Sequence, residues 1–526
     1  MTFSTDGATS LGPGPKRVRF GGVKDWKFIG RTVATTLDTS NGFRQCIRAM
    51  DRAKLASQLR NICGAEAVIT DEQELVVYEC DAYTLQKNLP TAVVLPQSTE
   101  EIAAIVHLCN EHQLPIIPRG AGTSLSGTVL AVDGGVMIAL TRMNRVLNVD
   151  ARNRRALVEA GCVNSWITRE ANQHGLYFAP DPSSQSACTI GGNVATNAGG
   201  PHTLKYGVTT NHILGYEIVL PDGSIEWLGV TPHGGEEIEG LDLRGAAIGS
   251  EGMFGIVTNV LVRLVKKPAS FKTYLGIFDS VEAASQTVSN IIAAGIVPAA
   301  LEMMDQLITR AVEEAYNFGF PLDAGAVLII ELDGLSDGVK AQGEKVESIC
   351  LLNGAQEVRV ARDEVERATL WKCRKRAFGA VGRISPNYIT QDGVVPRSQV
   401  PEIMRFIQST SQKYNLRIPN VFHAGDGNIH PLILFDERKE GEVEQALKAG
   451  EDILNRCIEL GGSVSGEHGI GVEKIDFMER QFSRDDLAAM QLLRMAFDPN
   501  KQCNPHKMFP SSKRCSDFAP RKQASA

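Results

Sequence analysis

Although the chain carries 11 cysteines, no two are spaced as Cys-x-x-Cys, which removes the usual ligand pattern of an iron-sulfur cluster. An odd, dispersed set running from Cys46 to Cys515 suits free thiols in a reducing, cytoplasmic compartment better than a disulfide framework. Long hydrophobic runs are missing too: stretches such as Ala326–Ile330 fall far short of the ~18 apolar residues that a spanning helix needs. Excess basic charge is absent, the formal net charge being -7, so small molecules or proteins are expected as partners and nucleic acid is not. Residues 1–49, polar and glycine-rich with Lys16, Arg17 and Arg19, lack the apolar core of a secretion signal. They read as a flexible extension, and residues 511–526 as a flexible tail. Whether 1–49 belong to the native chain stays open, because Met50 introduces the first helical stretch. What remains is ordinary for a soluble globular protein, 43% hydrophobic and 22% charged, and long enough for two or three domains.

Helical spacing of Leu55, Leu59 and Ile62 predicts a helix over Asp51–Cys63. Ser98 and Glu101 form a capping-box pattern ahead of a second, with Ile102, Ile105, Val106 and Cys109 on one face. Strand Leu114–Ile117 then delivers the backbone into a loop, Arg119, Gly120, Ala121, Gly122, Thr123, Ser124 and on to Gly127. Glycines there allow positive φ and close approach of backbone N–H groups, which is how a chain grips a diphosphate. The spacing matches neither Gly-x-Gly-x-x-Gly nor a Walker loop, and taken alone it also fits an empty turn. Short strands follow at Gly135–Leu140, Val146–Val149 and Arg155–Ala160. Asp181–Gly200 is a second bent stretch, with four glycines and two asparagines able to donate and accept around a flat heterocycle with polar edges. Tyr216–Trp227 reads as a hairpin about Asp222-Gly223, and Gly249–Val257 as a third glycine-rich turn entering a strand. Three such turns together point to one extended ligand.

Beyond Lys267 and Pro268 strands and helices alternate: strand Phe271–Phe278, helices Val281–Ala294 and Asp305–Tyr316, strand Ala326–Leu332. In Val421–His430, His423 and His430 flank Asp426-Gly427, a tight-turn signal that lets both imidazoles converge. Glu467 and His468 sit among the glycines of Gly461–Lys474. Two histidines and a carboxylate suit a divalent metal, though hydrogen-bonded loop histidines are equally compatible with the spacing. Leu370–Arg376 is a basic helical stretch in which Lys372, Lys375 and Arg376 read as a solvated face.

Pro118–Gly127, Asp181–Gly200 and Gly249–Val257 resemble the FAD-binding domain of the vanillyl-alcohol oxidase and p-cresol methylhydroxylase superfamily, over roughly Leu89–Lys267. From about Phe271 to Pro510 the chain is similar to the FAD-linked oxidase C-terminal domain of D-2-hydroxyacid dehydrogenases. The resemblance implies an α+β protein with a two-part, PCMH-type FAD-binding domain at 50–267 and an α+β substrate domain at 268–510. It implies that Gly120–Ser124 carry the diphosphate of FAD, that Pro182, Ser183, Gly192, Asn193 and Gly199 surround the flavin, and that Ile256 and Val257 touch the adenine half. Arg119, Gly127, Gly191, Asn197 and Gly200 complete the cofactor set. The first loop has no histidine, so non-covalent FAD is expected there. The same resemblance makes His423, His430 and Glu467 ligands of a divalent metal such as Zn or Mn, His468 the catalytic base, and Arg374, in Trp-x-x-Arg, the carboxylate-binding cation. Phe378 and Thr390 replace the groups that hold a distal carboxylate in 2-hydroxyglutarate enzymes, which favours a small monocarboxylate; Tyr388 is expected near the pocket. Arg383–Arg397 resembles the flavin subunits of bacterial glycolate dehydrogenases, and His506 stands where that family usually has glycine. Oxidation of glycolate, with D-lactate second, is the implied activity; the rival from another class is an inactive flavin-binding subunit. Electrons would pass to oxygen, a quinone, or companion flavin and iron-sulfur subunits at the inner face of the membrane.

Overall fold

The computed structural model describes residues 52–233 and 240–510, so the expected extension at 1–49 and tail at 511–526 lie outside the described residues. All described residues belong to one compact unit. Helix α1 (Arg52–Cys63) buries Leu55, Leu59 and Cys63 against a sheet of β1 (Val68–Ile69), β2 (Ala92–Val94), β3 (Ile116–Arg119) and β4 (Val136–Ala139). Its order is β1-β2-β4-β3, with β2, β4 and β3 parallel. Parallel neighbours require a crossover, and α2 (Thr99–Glu111) provides it between β2 and β3. Only half of the expected capping box forms: Ser98 accepts from the Glu101 N–H at 3.2 Å, while the Glu101 carboxylate accepts from Gln97 instead. The strand expected at Leu114 begins two residues later, because the Leu114 N–H donates to Cys109 and completes the end of α2.

A second, antiparallel sheet contains β5 (Val146–Asp150), β6 (Arg155–Glu159), β7 (Ile213–Val219), β8 (Ile225–Gly229) and β9 (Ile256–Arg263), ordered β5-β6-β9-β7-β8. Between β6 and β7 lies the short α3 (Ile190–Thr196). The hairpin read around Asp222-Gly223 is β7–β8, with Tyr216 opposite Leu228. These two sheets give the first half of the chain the two-part build expected of it.

The third sheet is larger. It holds β10 (Ser270–Phe278), β11 (Ala300–Asp305), β12 (Ala326–Gly334), β13 (Ala355–Val360), β14 (Asn387–Thr390), β15 (Asn420–His423) and β16 (Asn428–Phe435). The order is β13-β10-β12-β11-β15-β16-β14, and Gly393–Val394 also pairs with β16. Helices cover both faces, so alternate residues of β12 enter different cores: Leu328 and Ile330 on one side, Val327 and Ile329 on the other. Among those helices are α4 (Val281–Ala293), α5 (Gln306–Tyr316) and α6 (Glu364–Val381). Residues 502–507 then return to the first sheet. Ile116 and Cys503 form a parallel bridge, and Gln502 donates to the carbonyls of Cys109 and Leu114.

A buried polar cluster ties the loop after α3 to β12 and α6. Glu331, fully buried, accepts from Arg367, from Trp371 Nε1 at 2.6 Å, from Thr273 at 2.8 Å and from the His202 ring at 3.3 Å. The other ring nitrogen of His202 meets Asp181 at 2.9 Å. Burial opposes a charged ring, but Asp181 and Glu331 outweigh it and hold His202 up to about 10, from an ordinary 6.5. The resulting stabilisation is complete below 6.5 and lost as pH rises through about 10. His202→Asn is therefore expected to cost about 2 kcal/mol near neutrality. Denaturant titrations over a pH series should show the gap to wild type closing as pH approaches 10.

Candidate active site

Strand β3 runs directly into the first glycine loop. Gly122 and Gly127 adopt φ of +68° and +72°, and a Cβ on Gly120 would lie 2.3 Å from Thr189 Oγ1. The loop thus folds against the start of α3, where Thr189 accepts from the Gly192 N–H. Across a cavity of about 370 Å³ stand Gly120–Ser124, Pro182, Ser183, Gly191–Asn193, Ile256 and Val257. Arg119 also reaches this wall, its guanidinium donating to the Cys80 carbonyl at 3.0 Å. Four expected cofactor residues do not line it. Gly127 packs on Val472 and Tyr83, Asn197 ends α3 in a left-handed conformation, and Gly200 at φ +133° abuts the Asp181 carbonyl. Gly199 lies where a Cβ would meet Glu467 Oε2 at 2.8 Å, so its bareness brings the flavin loop against the second half.

The cavity fits FAD on the structure's own terms. Its lining combines the glycines of the first loop and of α3 with apolar Leu140, Ile218, Ile256 and Val257, and Asn193, only 2% exposed, leaves its Nδ2 without a partner. An unmet buried donor on a ligand wall is costly unless a ligand oxygen meets it.

At the other end, the β15–β16 hairpin pairs Val421 with His430 and His423 with Asn428. His423 and His430 are therefore diagonal neighbours on one face, their ring centroids 5.1 Å apart. Glu467 Oε1 lies 3.2 Å from His423 Nε2 and 3.3 Å from His430 Nε2. Each of the three offers a ligand atom within 4.8 Å of the others. The convergence inferred from the Asp426-Gly427 turn is thus present. His423 Nδ1 faces Glu302 Oε1 at 2.7 Å, an arrangement that aims Nε2 at Glu467. Burial disfavours the charged ring, yet Glu302 and then Glu467 hold His423 up to about 10. Against the same burial, both histidines keep the Glu467 carboxyl well below its usual range.

His468 stacks on His430 with centroids 5.0 Å apart and lines the cavity. Burial, reinforced by His430 and Lys474 and opposed by Asp392, pushes His468 down to about 4, leaving a neutral acceptor. Its loop is fastened from both halves. Asp392, fully buried, accepts the backbone N–H groups of Gly466, Glu467 and His468 at 2.9, 3.1 and 2.9 Å, and the Ser465 hydroxyl at 2.8 Å. From the flavin side, Glu251 accepts the N–H groups of Ile470 and Gly471 at 2.6 and 2.9 Å. Ser126 donates to the His468 and Gly469 carbonyls.

Arg374 is placed differently from expectation. It is 1% exposed and off the cavity wall, with Nε donating to Glu302 Oε2 at 2.7 Å and a terminal nitrogen unpartnered. It stands behind Glu302 and His423 rather than at the cavity. Phe378 and Tyr388 do line the cavity, as does Lys375, which the charge pattern assigned to solvent. Thr390 is buried away from it.

Residues 90–229 match the family described as FAD binding domain, and 267–508 match FAD linked oxidases, C-terminal domain. The chain is 46% identical to the glycolate oxidase subunit GlcD of Escherichia coli (strain K12), over 89% of this chain and 93% of that one. The chain belongs to the FAD-linked oxidase family. A D-lactate dehydrogenase of Anaerostipes hadrus is 33% identical over 80% of this chain and 90% of its own. Among solved structures, p-cresol methylhydroxylase with substrate bound superposes at a TM-score of 0.75 with 18% identity, covering 87% of this chain and 96% of that one. That likeness concerns the fold. As an FAD-linked oxidase the protein is an oxidoreductase.

Asn193→Ala removes the unmet donor and should weaken FAD binding by about tenfold. Equilibrium dialysis followed by flavin absorbance measures this directly.

Proposed function

We infer that this FAD-linked oxidase oxidises a small D-2-hydroxy acid, glycolate to glyoxylate in the first instance. The observation that carries the reading is the meeting of the His423, His430 and Glu467 cluster with a neutral His468 on the wall of the flavin cavity. When bound, FAD supplies the acceptor for the α-hydrogen as hydride, and a divalent cation such as Zn or Mn supplies charge that favours the alkoxide form of the substrate hydroxyl. His423, His430 and Glu467 would hold that cation, with Glu302 fixing the His423 ring. An imidazole nitrogen of His468 takes the hydroxyl proton. Asp392 contributes by holding the loop that presents both Glu467 and His468. Arg374, buried behind Glu302, would keep that carboxylate and the His423 ring in place rather than touch the substrate. Phe378 and Tyr388, neither of them charged, favour a substrate with one carboxylate.

D-lactate is the second reading, favoured by the D-lactate dehydrogenase relative. The name of the Escherichia coli relative, a subunit, supports companions: we propose that electrons leave through partner flavin and iron-sulfur subunits or to a quinone. No cysteine among the described residues is disulfide-bonded, and most are buried. No described helix is long and apolar enough to cross a membrane. We place the protein in the cytoplasm, peripherally associated with the inner membrane face.

Anaerobic addition of glycolate or D-lactate to the FAD-loaded chain should bleach the flavin band near ~450 nm, with chelator treatment slowing the bleaching. His468→Ala should keep its FAD and lose this reduction; reduction at the wild-type rate overturns the assignment of the base. Asp392→Asn should stay yellow while its affinity for added Zn or Mn, read by calorimetry, falls about 10–100-fold.

A further inference from the structure

Helix α6 carries Glu364, Arg367, Trp371, Lys372, Lys375 and Arg376 at three- and four-residue spacing along one face. Together with His202 they line a surface groove of about 430 Å³. Most of its charge is already compensated. Arg367 is held by Glu331 and Glu364, His202 by Asp181 and Glu331, and Arg376 lies over the Tyr316 ring at 4.8 Å. Lys372 and Lys375 have no ion-pair partner among the described residues. They stand one turn apart, close enough to act on the same anion.

Lys375 is also part of the flavin cavity, where it shares a wall with Phe378, Tyr388, His430 and His468. It is the residue of α6 common to groove and cavity walls that carries a charge. The other full cation on the cavity wall, Arg119, is engaged with the Cys80 carbonyl. Arg374, one residue earlier, is buried, lies off the cavity wall and holds Glu302. On the cavity wall, Lys375 is therefore the full cation that no described side chain or carbonyl engages, and an acid near the imidazole cluster lies within its reach. A lysine suits this task because its charge sits on a flexible stem and can follow a carboxylate inward.

We propose that Lys375 captures the substrate carboxylate at the junction of groove and cavity, with Lys372 adding longer-range attraction from the groove. The assignment rests on a carboxylate substrate, as in the function inferred above. It makes Lys375 a specificity-determining residue for monocarboxylates, acting in binding rather than in proton or hydride transfer.

Rapid-mixing measurements of anaerobic flavin reduction by glycolate, on the FAD-loaded full chain at low and high salt, test it. For Lys375→Met the half-saturating concentration should rise about tenfold, with the limiting reduction rate changed less than about twofold. Salt should weaken capture in wild type and have little effect in Lys375→Met, since the screened attraction is gone. Lys375→Arg should recover most of the affinity, and Lys372→Met should lower only the apparent second-order rate. An unchanged half-saturating concentration in Lys375→Met overturns the proposal and leaves a solvated surface lysine. If neither glycolate nor D-lactate reduces the wild type, the functional reading fails, and oxalate decides the Lys375 question separately. Perturbation of the flavin spectrum by oxalate should then need about tenfold more ligand in Lys375→Met; equal titrations, or no oxalate binding by the wild type, overturn it.

Discussion

One carboxylate in the dark interior of the protein governs the geometry of everything around it. Asp392 gathers three consecutive backbone N–H groups, a serine hydroxyl and the Asn428 amide, and Lys474 approaches at 3.4 Å. Burying an isolated carboxylate is strongly unfavourable, and only such a dense set of donors makes it tolerable. The carboxyl accordingly sits well below its ordinary range: burial works against ionisation, but His468, Lys474 and His430 outweigh it. The stabilised charge in turn dictates the path of Gly466–His468. Glu467 and His468 can point to different tasks because their own amides are pinned to the same oxygens.

The same principle recurs in a chain of contacts reaching outward. Arg374 holds Glu302, Glu302 holds His423, and His423 faces Glu467. Arg374, Glu302 and His423 are nearly excluded from water, so loss of one leaves the next with an unbalanced charge. Glu251 and Ser126 fasten the far side of the Glu467 loop to the flavin-binding half. The loop that carries His468 is thus held from both halves at once.

Much of this was readable from residues close together in the chain. Glycine loops announce themselves because positive φ needs a missing side chain, and the histidine hairpin because Asp426-Gly427 marks its turn. Flavin binding and the roles of particular residues came through resemblance to a family, not from spacing. Asp392, Glu302 and Glu251 escaped notice for a physical reason. They are three among 61 acidic residues, and what distinguishes them is burial against partners, backbone amides for Asp392 and Glu251 and the His423 ring and Arg374 for Glu302, that lie tens to hundreds of positions away. The Asp392 case had a local hint, an acidic residue amid apolar Ile389, Val394 and Val395. Charge patterning gave Lys372, Lys375 and Arg376 as a solvated face, and all three are exposed; it could not show that Lys375 also borders the cavity, since a helix face rich in lysine looks the same beside bulk water or at a cavity mouth.

The return of residues 502–507 to the first sheet has a temporal meaning. Asn504 donates to the carbonyls of Thr128 and Glu251, and Lys507 to that of Leu130, all in segments that frame the cavity. A nascent chain emerging from the ribosome therefore exposes β3 with its edge uncovered and the cradle unfinished until almost the whole polypeptide has been made. A chain interrupted shortly before Gln502 would be left with an open strand edge of the kind that invites association with other chains.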